Sequence, residues 1–483
     1  MTSHKSHPTK FLPASGGPAV AGRISGSPIS GEAHSLSNPA TEKELAVVGW
    51  ANTDDVKTAV ESAAAVQAAW ATTSGGERAS ALRNCAEALR KNVDFLAPLI
   101  TAESGKPLKE AQGEVAFSAR YFDWFAEAVA TQRGELFTTD ERRFLVNRKP
   151  VGVVVAASPW NFPLSIPARK IAAALAAGCP VIQKASELTP LSSLALTELC
   201  EPHLPSGAIG ILVGDGETLT TALVDQPLVR SITFTGSTIV GKKVAERAMR
   251  TMTRVTMELG GQAPFIVCED ADPDVALEAL ILAKFRNNGA SCLAANNVFI
   301  HESHYDELVS RLWERMSDLT VGDPSVESTQ VGPLINSQHV KRLNDLVSNA
   351  EAAGSTVSRA SHTNERGWFL PPTLVECEKD VDLWGQEIFG PVCAVRSFSD
   401  ESHVVQQANS FSAGLGAYVI SRNFEHQVRL ASALNVGIVG VNNGAPNSPE
   451  IPFGGIGDSG IGREGGISGM LEFTEEQTLS IAR

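Results

Sequence analysis

Apolar and polar positions alternate with two different periods along this chain, and the switch between them marks its elements. Residues 53–73, "TDDVKTAVESAAAVQAAWATT", start on a Thr-Asp-Asp cap with acids in the first turn and repeat apolar residues at i, i+3 and i+4, which predicts a helix. "KPVGVVVAASPWNFPL" (149–164) is a short β-branched run broken by Ser-Pro, a buried strand. "ARKIAAALAAG" (168–178) predicts a helix stopped by Gly178, followed by the strand "PVIQKAS" and a loop opened by Glu187 and closed by Pro190. "IGILVGDG", "SITFTGS" and "RVTMELGGQAPFIV" continue the rhythm of strand, glycine loop and helix, and a second series follows Gly260 and Gly261 through "NNVFIHESHYDELVSRLWERM", "FLPPTLVEC", "PVCAVRSFSD" and "GLGAYVISRN". Strands alternating with helices predict an α/β fold with largely parallel sheets.

Two segments break the rhythm. Residues 116–148 and the C-terminal "LEFTEEQTLSIAR" carry the alternation of strands that leave the body and pair elsewhere. The first 20 residues, rich in Ser, Gly and Pro, predict a loose arm; the segment holds no apolar signal core, and its Gly and Pro suit an amphipathic transit helix poorly.

Composition narrows the function classes. The chain of 483 residues is 43% hydrophobic and 19% charged, with no uninterrupted apolar run near the ~20 residues of a membrane span. A formal net charge of −14 repels phosphate backbones, so neither a nucleic acid nor a membrane is expected as a partner. Seven cysteines, none in a C-x-x-C pair, predict free thiols in a reducing compartment, the cytoplasm.

Among the motifs, "GSTIVGKK" (236–243) resembles a P-loop after a strand but places Lys243 where Ser or Thr would hold Mg²⁺. NTP hydrolysis is therefore not expected, although the Gly236-Ser237 turn at a helix start still offers backbone N–H groups to a phosphate. No G-x-G-x-x-G follows a strand. His301 and His304 have no third ligand spaced to complete a metal site, and no metal is expected. Cys292, in "FRNNGASC", reads by itself as a small buried hydrophobe or as a nucleophile in a polar turn. The second reading gains from Glu258, a carboxylate between a strand and a glycine pair that suits a general base, and from Asn161, an amide held between prolines that suits an oxyanion donor.

"SPWNFPL", "KASELTP", "ITFTGSTIVGK", "VTMELGG", "FRNNGASC", "EIFGPV" and "PFGGIGDSGIGREG", in this order, resemble the aldehyde dehydrogenase superfamily over about nine-tenths of the chain. The resemblance implies that Cys292 attacks the aldehyde, that Asn161 and the Cys292 N–H hold the oxyanion, that Glu258 activates water and that Glu464 relays a proton. It implies NAD as cofactor: Lys184 and Glu187 on the adenosine ribose, Trp160 and Ser237 at the pyrophosphate, Glu387 and Phe389 on the nicotinamide ribose. A carboxylate at Glu187 would repel a 2′-phosphate, so NAD⁺ is expected over NADP⁺. The family commonly has Gln where Ala290 stands and Pro where Ala185 stands; Ala294 replaces the second redox cysteine of some relatives.

Family members that oxidise succinate semialdehyde or α-ketoglutarate semialdehyde (2,5-dioxopentanoate) clamp the far carboxylate with two arginines and a serine. These positions match Arg169, Arg286 and Ser448, so the resemblance implies a short ω-carboxylate aldehyde as substrate. A general aliphatic or aromatic aldehyde dehydrogenase, a cysteine hydrolase and an inactive relative are the alternatives. The implied architecture is an NAD-binding domain (21–115 and 149–259), a catalytic domain (260–448), both Rossmann-like with parallel sheets, and oligomerisation segments (116–148 and 466–483) that build a homodimer or homotetramer.

Overall fold

Asn52 opens the first long helix, Thr53–Thr72, accepting from the amides of Asp54 and Asp55 while Asp55 answers on the Asn52 N–H, so the cap lies one residue before the expected Thr53. In this computed structural model the described residues are 20–29, 31–130, 134–362, 364, 366–378 and 380–482. Apart from Val20, which belongs to a short strand, the expected N-terminal arm lies outside them.

Two sheets organise the body. In the first, strands Arg254–Glu258, Val229–Thr235, Val153–Ala157, Val181–Lys184 and Ile209–Leu212 lie parallel in that order, with antiparallel edges from Gly460–Ile461 and Arg23–Ile24. The second runs Thr373–Glu376, Val392–Phe398, Asn297–His301, Pro264–Val267, Gly416–Ile420 and Ile438–Val441 in parallel, with Thr356–Arg359 antiparallel at the edge beside Thr373–Glu376. Val153–Ala157 is buried at every position, as a central parallel strand covered on both faces must be. Helix Ser165–Ala177 is likewise buried along its length, which explains an Ala-rich sequence without a polar face, and Gly178 ends it at φ +91°. Among the described residues no helix is long and apolar enough to cross a membrane.

The strand reading of 116–148 needs correction. Residues 116–130 belong to helix Leu108–Ala130, whose core face carries Ala111, Glu114, Val115, Ser118, Ala119, Phe122 and Phe125 at helical spacing. Only the chain beyond this helix leaves the body: Glu135–Thr138 and Arg142–Pro150 form a hairpin, and the C-terminal strand Thr474–Ala482 pairs antiparallel with Arg142–Pro150 along its whole length. Within 466–483, Gly466–Leu471 is a short helix that packs on Ser165–Ala177.

Candidate active site

Helix Pro273–Phe285 delivers the chain to Arg286, after which Asn287, Asn288 and Gly289 take φ of +57°, +57° and +73°. Asn and Gly tolerate left-handed backbone better than other residues, so "NNG" is what such a turn requires. A Cβ on Gly289 would lie 2.3 Å from the Gly390 carbonyl oxygen. The side chains complete the turn: Asn288 donates to the carbonyls of Gly105 and Pro333 (3.0 Å each) and accepts from Gly332 N–H (2.7 Å). Asn287 donates to the carbonyls of Asn161 and Ala290, and its own N–H donates to Glu110 at 2.6 Å. Cys292 emerges from this turn as the one cysteine of seven that is not buried, and Tyr418 fixes the next residue by donating to the Leu293 carbonyl at 2.7 Å.

Asn161 donates to the Ala290 carbonyl at 3.1 Å, two residues before Cys292, and its Oδ1 is buried without a partner. Burial pushes the Cys292 thiol up to about 12; the Arg169 cation opposes that shift and Glu258 adds to it. Glu258 ends its strand 1% exposed, with neither carboxyl oxygen hydrogen-bonded. Burial first, then the charge of Glu464, raises its carboxyl well above the usual range despite Arg169 and Lys170 nearby. Glu464 behaves oppositely. Burial pushes it up, but the Arg169 and Lys170 cations together outweigh that and hold it ionised. Lys170 ion-pairs with Glu464, and Thr233 donates to the same carboxylate at 2.7 Å.

A cavity of about 290 Å³ opens onto Cys292 between helix Leu108–Ala130 and helix Ser165–Ala177. Its apolar wall comes from Phe117, Phe162 and Phe453, and its charges from Lys106, Glu110, Glu114, Arg169 and Arg286. Lys106 is ion-paired with Glu114 over the Phe162 ring. Arg169 lies 2.6 Å from Glu464, in contact although not aligned as a hydrogen bond, and stacks on Phe453. Arg286 has no ion-pair partner among the described residues. The arrangement therefore differs from the expected clamp: Arg169 is neutralised by Glu464, and Ser448 does not line the cavity. The Ser448 hydroxyl donates to Glu450 and accepts from Arg120, while its neighbour Asn447 faces the cavity.

A second cleft, of about 690 Å³, runs over the C-terminal ends of the first sheet. Trp160, Lys184, Glu187, Gly236 and Ser237 all line it. Lys184 donates to Glu187 at 2.9 Å, and Ser237 caps helix Thr238–Ala248 by accepting from Val240 N–H, so the helix N-terminus faces the cleft. Crevices at the carboxyl ends of parallel strands are where α/β folds take nucleotides, and this donor set suits a dinucleotide with two ribose diols and a pyrophosphate. Glu387 accepts from Gly261 N–H at 3.3 Å, and burial raises it to about 7. Phe389, at φ +58°, packs edge-on to Trp160 at 5.5 Å. These two residues come from the second sheet's connections, and Phe389 brings them against the cleft through Trp160.

Lys170, Tyr121, Asn447 and the Lys106–Glu114 pair escaped sequence reasoning, having no distinctive spacing; only the position of Lys170 beside Arg169 hinted at it. The P-loop look-alike does border the dinucleotide cleft, through Gly236, Ser237 and Lys243, while Lys242 pairs with Asp458. His301 and His304 bond separately, to Ser303 and to the Glu269 carbonyl.

The profile of the aldehyde dehydrogenase family matches residues 28–479. The mitochondrial succinate-semialdehyde dehydrogenase of Arabidopsis thaliana is 40% identical over 91% of this chain and 84% of its own length. A succinate-semialdehyde dehydrogenase [NADP(+)] of Escherichia coli is 36% identical over 94% of this chain and 95% of its own. The crystal structure of succinate-semialdehyde dehydrogenase from Burkholderia pseudomallei superposes with a TM-score of 0.95 at 36% identity, covering 100% of both chains. Matched in sequence and in structure over nearly its whole length, this chain belongs to the aldehyde dehydrogenase family of NAD(P)-dependent enzymes.

Proposed function

We propose that the enzyme oxidises a short ω-carboxylate aldehyde, succinate semialdehyde first and 2,5-dioxopentanoate second, with NAD⁺ preferred. The observation that carries this reading is the unpaired Arg286 in the cavity of Cys292, where Lys106 and Arg169 are each neutralised by a carboxylate. Glu110 acts on Arg286 from within the same cavity but accepts from the Asn287 N–H instead of pairing with it, so a substrate carboxylate can supply a direct counter-ion, and charge-assisted contacts of this kind contribute about 1.5–3 kcal/mol each. Asn447 also lines the cavity, as does Arg169, which meets Glu464 through Nε and keeps its terminal nitrogens for other partners. An uncharged aldehyde would leave Arg286 desolvated and unpaired.

Cys292 sulfur attacks the carbonyl carbon once its thiol proton has gone to solvent or to Glu258, giving a thiohemiacetal. The Asn161 amide, with one N–H on Ala290 and one left over, and the Cys292 backbone N–H stabilise the oxyanion. When bound, a nicotinamide held by Glu387 and Phe389 would supply the hydride acceptor that oxidation of the thiohemiacetal carbon requires. The resulting acyl group stays on Cys292 as a thioester until Glu258 takes a proton from water and the hydroxide displaces sulfur. Glu464 keeps Lys170 and Arg169 in place and provides a path for the proton away from Glu258.

Lys184 and Glu187 fit the adenosine ribose, the start of helix Thr238–Ala248 with Trp160 and Ser237 the pyrophosphate, and Glu387 with Phe389 the nicotinamide ribose. Glu187 accepts from ribose hydroxyls and repels a 2′-phosphate, which supports NAD⁺ although the Escherichia coli relative is named for NADP⁺. Comparing kcat/KM for the two cofactors tests this. NAD⁺ should be favoured at least roughly tenfold, and Glu187→Ser should shrink the margin; preference for NADP⁺ would overturn the assignment. The aldehyde assignment is tested by Arg286→Ala, which should lose the preference for a carboxylate-bearing substrate. The free thiols suit a cytoplasmic enzyme. The first sheet serves as cofactor domain and the second as catalytic domain. The hairpin of residues 135–150 with the C-terminal strand serves as the oligomerisation element.

A further inference from the structure

At the end of the second sheet remote from Cys292, Cys268, Asp270 and His426 bring a thiol, a carboxylate oxygen and a ring nitrogen within 4.8 Å of one another. The register places them there: Pro264 pairs with Asn297, just downstream of Cys292, while Cys268 follows Val267 at the strand's other end.

The polar atoms of this cluster are directed unequally. Asp270 Oδ2 accepts from the Ser421 hydroxyl (2.9 Å) and from the N–H groups of Arg422 and Asn423 (3.1 and 2.9 Å). Its Oδ1 is buried and receives no hydrogen bond, although His426 Nδ1 lies 3.4 Å away. The other ring nitrogen, Nε2, sits on the Glu401 carboxylate. A carboxylate on Nε2 fixes the proton there and turns Nδ1 into a lone pair, the arrangement by which metal-binding histidines are oriented. Nδ1 and Oδ1 are then two acceptors facing each other, with the Ser421 hydroxyl 3.3 Å from Nδ1 and donating to Asp270 Oδ2, and a proton or a metal cation between them relieves the repulsion. Cys268, 1% exposed with no hydrogen bond from its thiol among the described residues, supplies the third donor atom.

We propose that Cys268, Asp270 and His426 form a binding site for a zinc-class divalent cation, with solvent as fourth ligand. Tetrahedral Zn²⁺ with S, N and O ligands at about 2.0–2.3 Å needs ligand atoms about 3.3–3.5 Å apart. Asp270 and His426 already meet this, and side-chain rotation closes the remainder. On binding, the Cys268 thiol proton is released to solvent and the Zn–S bond replaces it, so thiolate and carboxylate together neutralise the ion. The fourth position opens to a shallow polar cleft lined by Glu269, Asn423, Glu425 and Arg429. The ion would tie the loop after Pro264–Val267 to helix Phe424–Ala433 and, through Glu401, to helix Glu401–Ala408. Its role is structural, since the reacting cysteine lies at the other end of the sheet.

The test uses the full chain carrying Cys292→Ser, so that the reactive thiol cannot compete as a ligand. After chelator treatment, Co²⁺ is titrated and the sulfur-to-cobalt charge-transfer absorbance followed, and Tm is measured with and without Zn²⁺. One thiolate-bound cobalt per chain is expected, absent in Cys268→Ser and at least roughly tenfold weaker in His426→Gln, with Zn²⁺ raising Tm in the parent alone. His426 lies at the surface end of the cluster, so its variant serves if Cys268→Ser fails to fold. Absence of the band in the parent, as when a proton occupies Nδ1 instead, its persistence in Cys268→Ser, or an unchanged affinity in His426→Gln, would overturn the proposal.

Discussion

Glu258, the proposed base, lies in surroundings that favour its protonated form. Both oxygens are buried without donors, and burial together with Glu464 raises its carboxyl, whereas a working base must be ionised. Deacylation should therefore fall away at a pH above the ordinary carboxylate range as pH is lowered. Glu258→Gln should abolish that limb and leave the acyl group on Cys292, visible by intact mass as a substrate-derived adduct; rapid turnover without an adduct would contradict the assignment. Linkage has a definite sign here. A raised folded-state value means the folded chain holds the proton more tightly, so this contribution to stability is intact below the ordinary range and lost as pH rises through the raised value. At this scale the sequence is most legible for groups whose chemistry is scarce, Cys292, Glu258 and Asn161. It says less where a side chain has a choice of partners: the resemblance puts Arg169 and Ser448 on substrate, while Arg169, in the cavity wall, also contacts Glu464, and Ser448 bonds Glu450.

Among the elements, the left-handed turn of Asn287, Asn288 and Gly289 positions the nucleophile. Asn288 alone satisfies two carbonyls and one N–H from two other segments. Asn288→Ala should leave those groups buried and unpaired, at about 1–3 kcal/mol, lowering Tm and reducing kcat more than it changes KM. An unchanged Tm and kcat would show that the turn holds without it. Helical and strand periods are readable wherever one face is apolar and the other polar. Helix Leu108–Ala130 hides because its core face includes Glu114 and Ser118, while aromatic residues in "YFDWF" supply the alternation of a strand. Glu114 is buried because it accepts from the N–H groups of Leu164 and Ser165 at the start of the neighbouring helix, a contact no local pattern encodes.

For the whole molecule, the antiparallel sheet of Glu135–Thr138, Arg142–Pro150 and Thr474–Ala482 carries Leu136, Phe137, Leu479 and Ile481 at 62%, 53%, 40% and 45% exposure. Apolar strands projecting from the body are an aggregation hazard unless another chain covers them. Light scattering should accordingly find a dimer or tetramer at micromolar concentration, and a stable monomer would contradict the role given to this sheet. That the two main sheets are parallel is legible from the alternation of strand and helix. Which side chains gather around Cys292 is not, because they come from distant parts of the chain. The proposed function makes Arg286 the determinant of substrate, and this is tested most directly by kcat/KM for succinate semialdehyde and butanal, in wild type and Arg286→Ala, followed by NADH absorbance. Wild type should prefer the carboxylate, and the variant should lose roughly ten- to hundredfold on succinate semialdehyde with butanal nearly unchanged. Equal losses on both aldehydes, or no loss on either, would contradict the assignment of Arg286 to the substrate carboxylate.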